Sequence, residues 1–152
     1  IFSENQNADV YYGDTELVDE EGKSYGNRKL KTPPENLTWK SMIDGMVITH
    51  QSLIIKKEII PQYDLKFRHC ADIDWTIKIL KSSKVIINTY KIISRFLLGG
   101  YSRKNTISSR FERIIILSKH FNVFYVLLNH IKLAFKFIVH IIKYRRILSC
   151  QT

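Results

Sequence analysis

Strand-like and helix-like segments alternate along the first hundred residues, which predicts an α/β sheet. Three observations carry this expectation. The run at 9–18 is rich in β-formers and ends at the turn Asp19-Glu20-Glu21-Gly22. The stretch 72–80 places Ile73, Ile77 and Leu80 on one side and Asp74, Lys78 and Lys81 on another, which is the 3.6-residue period of a helix. The segments 85–88 and 92–97 then return to Val, Ile and Phe before Gly99-Gly100. With 152 residues, 45% of them hydrophobic and 25% charged, the chain is long enough for one domain with its own core, which excludes a disordered tail or a bare coiled coil.

Taken in order, 9–18 and 24–30 predict a hairpin about the Asp19–Gly22 turn. Pro33 and Pro34 break the chain, and 35–44 has the early acidic residue and the Leu37, Met42, Ile43 spacing of a short helix stopped at Gly45. Segments 46–49 and 52–55 read as buried extended pieces, followed by the helix at 72–80 and the two strands 85–88 and 92–97.

The net charge of +10 is unevenly spread. Residues 1–100 carry 14 Lys and Arg against 13 Asp and Glu, whereas 101–152 carry 10 against the single Glu112. A balanced domain (1–104) and a basic, apolar tail (105–152) are therefore expected. Cys70 and Cys150 are far apart and lack a CxxC partner, which predicts a reducing, cytoplasmic setting and neither a disulfide framework nor a zinc site. The chain opens at Ile1 without the basic start and apolar run of a secretory signal, and it is expected to be a piece of a longer one.

Asp72-Ile73-Asp74 forms a D-x-D pattern, whose hard carboxylate oxygens suit a divalent metal on a diphosphate. The same residues equally describe a helix start, with Asp72 favoured by the helix dipole and Asp74 paired with Lys78 at i, i+4. His50-Gln51 follows an apolar segment, where α/β folds present ligand-binding side chains, although a lone histidine there is also an ordinary core or edge residue. Gly99-Gly100 before Tyr101-Ser102-Arg103 would let backbone approach a phosphate, and a plain turn explains the two glycines as well.

The order of these features, VYYGDTELVDEEGK, TWKSMIDGMVITHQSLIIKKEII, YDLKFRHCADIDWTIKILKSSKVIINT and RFLLGGYSRKN, resembles the C-terminal, acceptor-side half of a bacterial family-2 glycosyltransferase of the GT-A fold. The resemblance spans about residues 7–105. It implies a partial, Rossmann-like mixed sheet lacking its N-terminal nucleotide-binding half, and transfer of a sugar from a nucleotide-diphosphate donor to a glycan or lipid-linked hydroxyl. In the inverting members of that family a carboxylate at the start of the helix removes the acceptor proton, and the matching residue is Asp72, preceded here by Ala71 where the family often has Glu. His50, Gln51, Asp74, Ser102 and Arg103 match positions that line the acceptor pocket, support it or approach the diphosphate. The metal-holding D-x-D of the family would precede Ile1, so a divalent metal (Mg or Mn) is expected in the full-length enzyme with none of its ligands in this chain.

In the tail, 110–120 and 123–148 predict two helices, the second carrying Asn129, Lys132, Lys136, His140 and Lys143 within about 80° of arc on an otherwise apolar surface. Spanning a bilayer would put Lys132 and Lys136 near its centre at about 2.5–3.5 kcal/mol each. Lying in the interface keeps both at the headgroups, and packing on protein satisfies the apolar arc equally. Two classes of function are consistent with all of this. One is a glycosyltransferase fragment at the inner face of the cell membrane, inactive by itself; the other is a non-catalytic basic module that binds anionic lipid or nucleic acid. The wide apolar arc and the absence of an RNA-binding signature speak against nucleic acid.

Overall fold

The computed structural model describes residues 7–29, 31–97 and 106–149. Nine residues of extended backbone, Val10–Val18, form the central strand β1. The turn after it is closed by the Gly22 N–H to the Asp19 carbonyl (3.0 Å) and by the Lys23 N–H to the Asp19 carboxylate (2.7 Å), and Gly22 takes the positive φ of +78° that this turn requires. β2 (Ser24–Lys29) then returns antiparallel, with Glu16 opposite Lys29 and Val18 opposite Ser24. β3 (Leu53–Ile55) pairs antiparallel with the start of β1, and β4 (Ile86–Leu97) runs parallel to β1 along its length. The result is a mixed α/β fold on a four-stranded sheet.

Between β3 and β4 lies the helix α1 (Ala71–Ser82), and after β4 come α2 (Thr106–His120) and α3 (Val123–Ser149). The period read at 72–80 is observed: Ile73, Ile77 and Leu80 are buried, each removal from water worth about 1.5–3 kcal/mol. They share one core with Tyr12, Leu37, Met42, Ile48 and Cys70, and also with Ile116, Leu117 and Val126. Residues from both sides of position 104 therefore build a single apolar interior.

Several local expectations need correction. The helix expected over 35–44 is only a 3₁₀ turn at Trp39–Asp44. The buried Tyr12 hydroxyl lies 2.9 Å from the Pro34 carbonyl and 2.5 Å from that of Glu35, and it accepts the Leu37 N–H at 3.1 Å, so the backbone a helix would use is bonded to β1 instead. Gly45 ends the turn, as its position in the sequence implies. Segment 46–49 forms no strand, although Ile48 and Thr49 are buried. The two strands expected at 85–88 and 92–97 are one, β4, interrupted by a bulge.

That bulge explains a glycine. Tyr12 pairs with Asn88 and Asp14 with Ile92, so four steps along β4 match two along β1. The surplus is accommodated at Tyr90, whose φ is +53° and whose N–H is held by the Asn88 side chain at 2.9 Å. Gly13 lies opposite, where a Cβ would collide with the Lys91 carbonyl and stand 2.7 Å from Thr89 Oγ1 and 2.9 Å from Ile93 Cδ1. Gly13→Ala is expected to destabilise the protein by about 1–3 kcal/mol through overpacking, read as a lower urea midpoint. An unchanged midpoint would show that the bulge does not press on β1 in solution.

Candidate functional site

The start of α1 is fixed from outside the helix. Glu112, on α2, accepts the backbone N–H groups of Arg68 (3.0 Å), His69 (2.8 Å) and Cys70 (3.1 Å), three donors that precede the first helical turn. Burial opposes the charge of Glu112, but these bonds outweigh it and keep its carboxyl below the usual glutamate range. The Cys70 thiol donates to the Ser109 carbonyl at 3.3 Å, and burial first, then the charges of Asp72 and Glu112, push it up to about 11. It is thus a protonated structural thiol at neutral pH.

Asp72 is the second residue of α1; its Oδ1 accepts its neighbour Ile73's N–H at 3.0 Å and its side chain is 32% exposed. His50 comes to it from a 3₁₀ turn at His50–Ser52, placing Nδ1 3.4 Å from Asp72 Oδ2. That turn is anchored by a buried hydroxyl cluster. Thr49 and Ser52, which flank His50 and Gln51, both bond to Thr15 on β1, and Ser52 also bonds to Ser94 on β4 at 2.6 Å. The sheet thereby presents His50 to the first residues of α1. Gln51 is exposed on the same turn.

Asp72 lines a cleft of about 480 Å³ together with Lys31, Asp44, His69, Cys70, Arg110 and Arg113. Its cationic side was not singled out from the sequence. Burial lowers the Lys31 ammonium from 10.5 to about 8, with the Asp72 carboxylate acting to raise it and Arg113 to lower it further. Burial likewise lowers Arg113, whose Nη2 donates to the Asp44 carbonyl. The guanidinium occupies the space that a Cβ on Gly45 would fill, and Gly45 has a φ of +92°. Arg113 Nε is buried and has no hydrogen-bond partner among the described residues. The i, i+3 spacing of Arg110 and Arg113 was the available signal, since it sets both on one helix face.

Asp74 is directed elsewhere. It is only 1% exposed and is held by Lys78 Nζ at 2.6 Å and His120 Nε2 at 2.7 Å. Burial works against its ionisation, yet the Lys78 and His120 contacts prevail and its pKa lies below the usual aspartate value. The i, i+4 pair read from the sequence is present, but Asp74 sits inside rather than on the polar face because α2 covers it with His120. Asp72 and Asp74 therefore do not converge on one ion, and among the described residues no group of three His, Cys, Asp or Glu side chains is placed to hold a metal. Ser102 and Arg103 lie outside the described residues.

Because the folded pKa of Lys31 is below its ordinary value, keeping it charged costs folding free energy below about pH 8. That cost is relieved as pH rises from about 8 towards 10.5. An NMR titration of the Lys31 side chain should report a value near 8, lower in Asp72→Asn and higher in Arg113→Gln. Shifts of the opposite sign would remove Lys31 from this cleft.

No family model matches the sequence, and no curated protein matches it.

Proposed function

We propose that the chain is the acceptor-side half of a GT-A-type glycosyltransferase, with Asp72 as general base. The observation that carries this reading is the meeting of His50 and Asp72 at 3.4 Å beside a cleft lined by Lys31, Arg110 and Arg113. The two motifs are distant in sequence and meet at a partly open carboxylate, which supports a shared role. The parallel β1–β4 pair with α1 before β4 is consistent with the partial mixed sheet that the resemblance implies.

On this reading the acceptor hydroxyl binds at Asp72 and its oxygen attacks the anomeric carbon of the donor sugar. The new carbon–oxygen bond forms as the bond to the nucleoside diphosphate breaks. The acceptor proton passes to Asp72 Oδ, and the leaving diphosphate takes the bonding electrons, inverting the anomeric configuration. His50 orients the carboxylate, Gln51 extends the acceptor rim, and Asp74 supports the helix. The nucleotide and its divalent metal would be held by a nucleotide-binding half outside these 152 residues, since among the described residues no group of three His, Cys, Asp or Glu side chains is placed to hold the ion. Ser102 and Arg103 retain their proposed place near the diphosphate through the resemblance alone.

The enzyme would work at the cytoplasmic face of the cell membrane. Phe124, Leu128, Ile131 and Phe135 recur on one side of α3 and are all exposed, with Lys132 beside them, while Val126 and Leu133 turn inward. Asn129, at the start of the polar stripe, donates to the Ile43 carbonyl at 3.0 Å. The side chains of Lys136, His140 and Lys143 lie outside those described. Among the described residues no helix is long and apolar enough to cross a membrane. The same exposed stripe favours the second reading, a non-catalytic basic module on anionic lipid.

In the protein that contains this segment, Asp72→Asn should lower sugar transfer by about 10²–10⁴-fold with the fold intact by circular dichroism. Asp74→Asn should cost far less rate and more stability, because it leaves Lys78 and His120 without their buried partner. Equal rate losses, or a larger loss at Asp74, would contradict the assignment. Binding to anionic vesicles with no nucleotide-sugar turnover by the whole protein would favour the non-catalytic module.

A further inference from the structure

The cleft at Asp72 adjoins a second cavity. This one, of about 670 Å³, lies between α2 and α3 and is walled by Ile114, Leu133 and Ala134. Asp44, Arg110 and Arg113 line both cavities, so one continuous surface runs from the carboxylate of Asp72 past two guanidinium groups into an aliphatic groove. Each volume lies in the range of about 300–1,000 Å³ that small-molecule sites occupy.

The polar end is chemically incomplete. Lys31, Arg110 and Arg113 outnumber the acids Asp44 and Asp72 that line the same cleft. Glu112, the nearest further acid on α2, is engaged by the backbone of residues 68–70. Arg113 Nε is a buried donor without an acceptor among the described residues. His130, on the groove wall, donates from Nδ1 to the Val126 carbonyl at 2.8 Å, and its Nε2 is buried and unpartnered. A guanidinium with an unused N–H beside a second guanidinium and an ammonium matches a phosphate. Among the described residues no Tyr, Trp or Phe lines the groove; beyond the guanidinium groups its wall is Ile114, Leu133 and Ala134, with the His130 ring beside them.

We propose that the joined cavities take an amphiphile with a phosphate headgroup, the phosphate held by Arg113, Arg110 and Lys31 and its alkyl chain lying in the groove between α2 and α3. The acceptor of transfer is then a lipid-phosphate-linked hydroxyl rather than a free glycan. The role as acceptor rests on the transferase reading; the binding does not.

The test is calorimetric titration of the 152-residue chain at pH 7 with decyl phosphate below its micelle concentration, decanol, inorganic phosphate and uridine diphosphate. Decyl phosphate should bind at least about tenfold more tightly than any of the other three, since several methylenes leave water together with the ion pairing. Ala134→Trp, which fills the groove from its exposed rim, should abolish that advantage and leave inorganic phosphate binding unchanged. Arg110→Gln, at an exposed position, should weaken both phosphates several-fold. Decanol equal to decyl phosphate, inorganic phosphate equal to decyl phosphate, uridine diphosphate tighter than decyl phosphate, or an Ala134→Trp protein that binds all four as before would each overturn the proposal. Failure of the transferase reading is seen separately, as the absence of nucleotide-sugar turnover by the protein that contains this segment.

Discussion

The site depends on one carboxylate. Glu112 accepts three consecutive backbone N–H groups ahead of α1, groups that would otherwise enter a partly buried region without partners. This single side chain fixes where α1 begins, and therefore where Asp72 points, while tying α2 to the sheet-bearing part of the chain. Charge-assisted bonds of this kind contribute about 1.5–3 kcal/mol each and hold backbone to a narrow geometry. Around the clamp, α2 makes further polar contacts with the rest of the protein, among them Ser109 with Cys70, Arg113 with Asp44, Lys119 with Asp64 and His120 with Asp74. The helix that begins the basic region is thus what completes the cleft.

A second consequence is the separation of two aspartates that the sequence places side by side. Residues two apart on a helix project to different sides. Asp72 faces the cleft with a third of its side chain exposed, and Asp74 faces the core, paired with Lys78 and hydrogen-bonded to His120. One is open to the cleft and the other is committed to docking α2, so the two carboxylates turn to different surroundings. The cleft is in turn electrostatically mixed. Asp72 favours the charge on Lys31 while Arg113 opposes it, leaving an ammonium that titrates close to neutral pH next to a carboxylate.

Much of this was legible residue by residue. The period of Ile73, Ile77 and Leu80 gave α1, the Asp19–Gly22 turn gave the hairpin, and Gly45 marked where the segment read as a short helix ends. What stayed hidden was set by distant partners. Tyr12 bonds backbone at 34–37 and so leaves 35–44 with only a 3₁₀ turn, and nothing in that segment announces it. The bulge at Tyr90 puts a bulky residue at positive φ, which local preference argues against; Gly13, far away in sequence, makes it possible. His50 and Asp72 were each recognisable, but their contact is built by hydroxyl groups at Thr15, Thr49, Ser52 and Ser94 that carry no motif. Lys31 and Arg113 belong to no motif in the sequence, because burial is a property of the assembled chain.

If the carboxylate and the cations of the cleft serve one reaction, as proposed, the pH dependence of kcat/KM for sugar transfer by the protein that contains this segment reports both, since that ratio follows ionisations of the free enzyme. The account predicts an alkaline limb near pH 8, where Lys31 loses its proton. In Lys31→Arg, whose guanidinium stays charged above about pH 12, that limb should move up by two units or more, to about pH 10 or beyond, while the acidic limb stays in place. An alkaline limb unmoved by Lys31→Arg would contradict the claim.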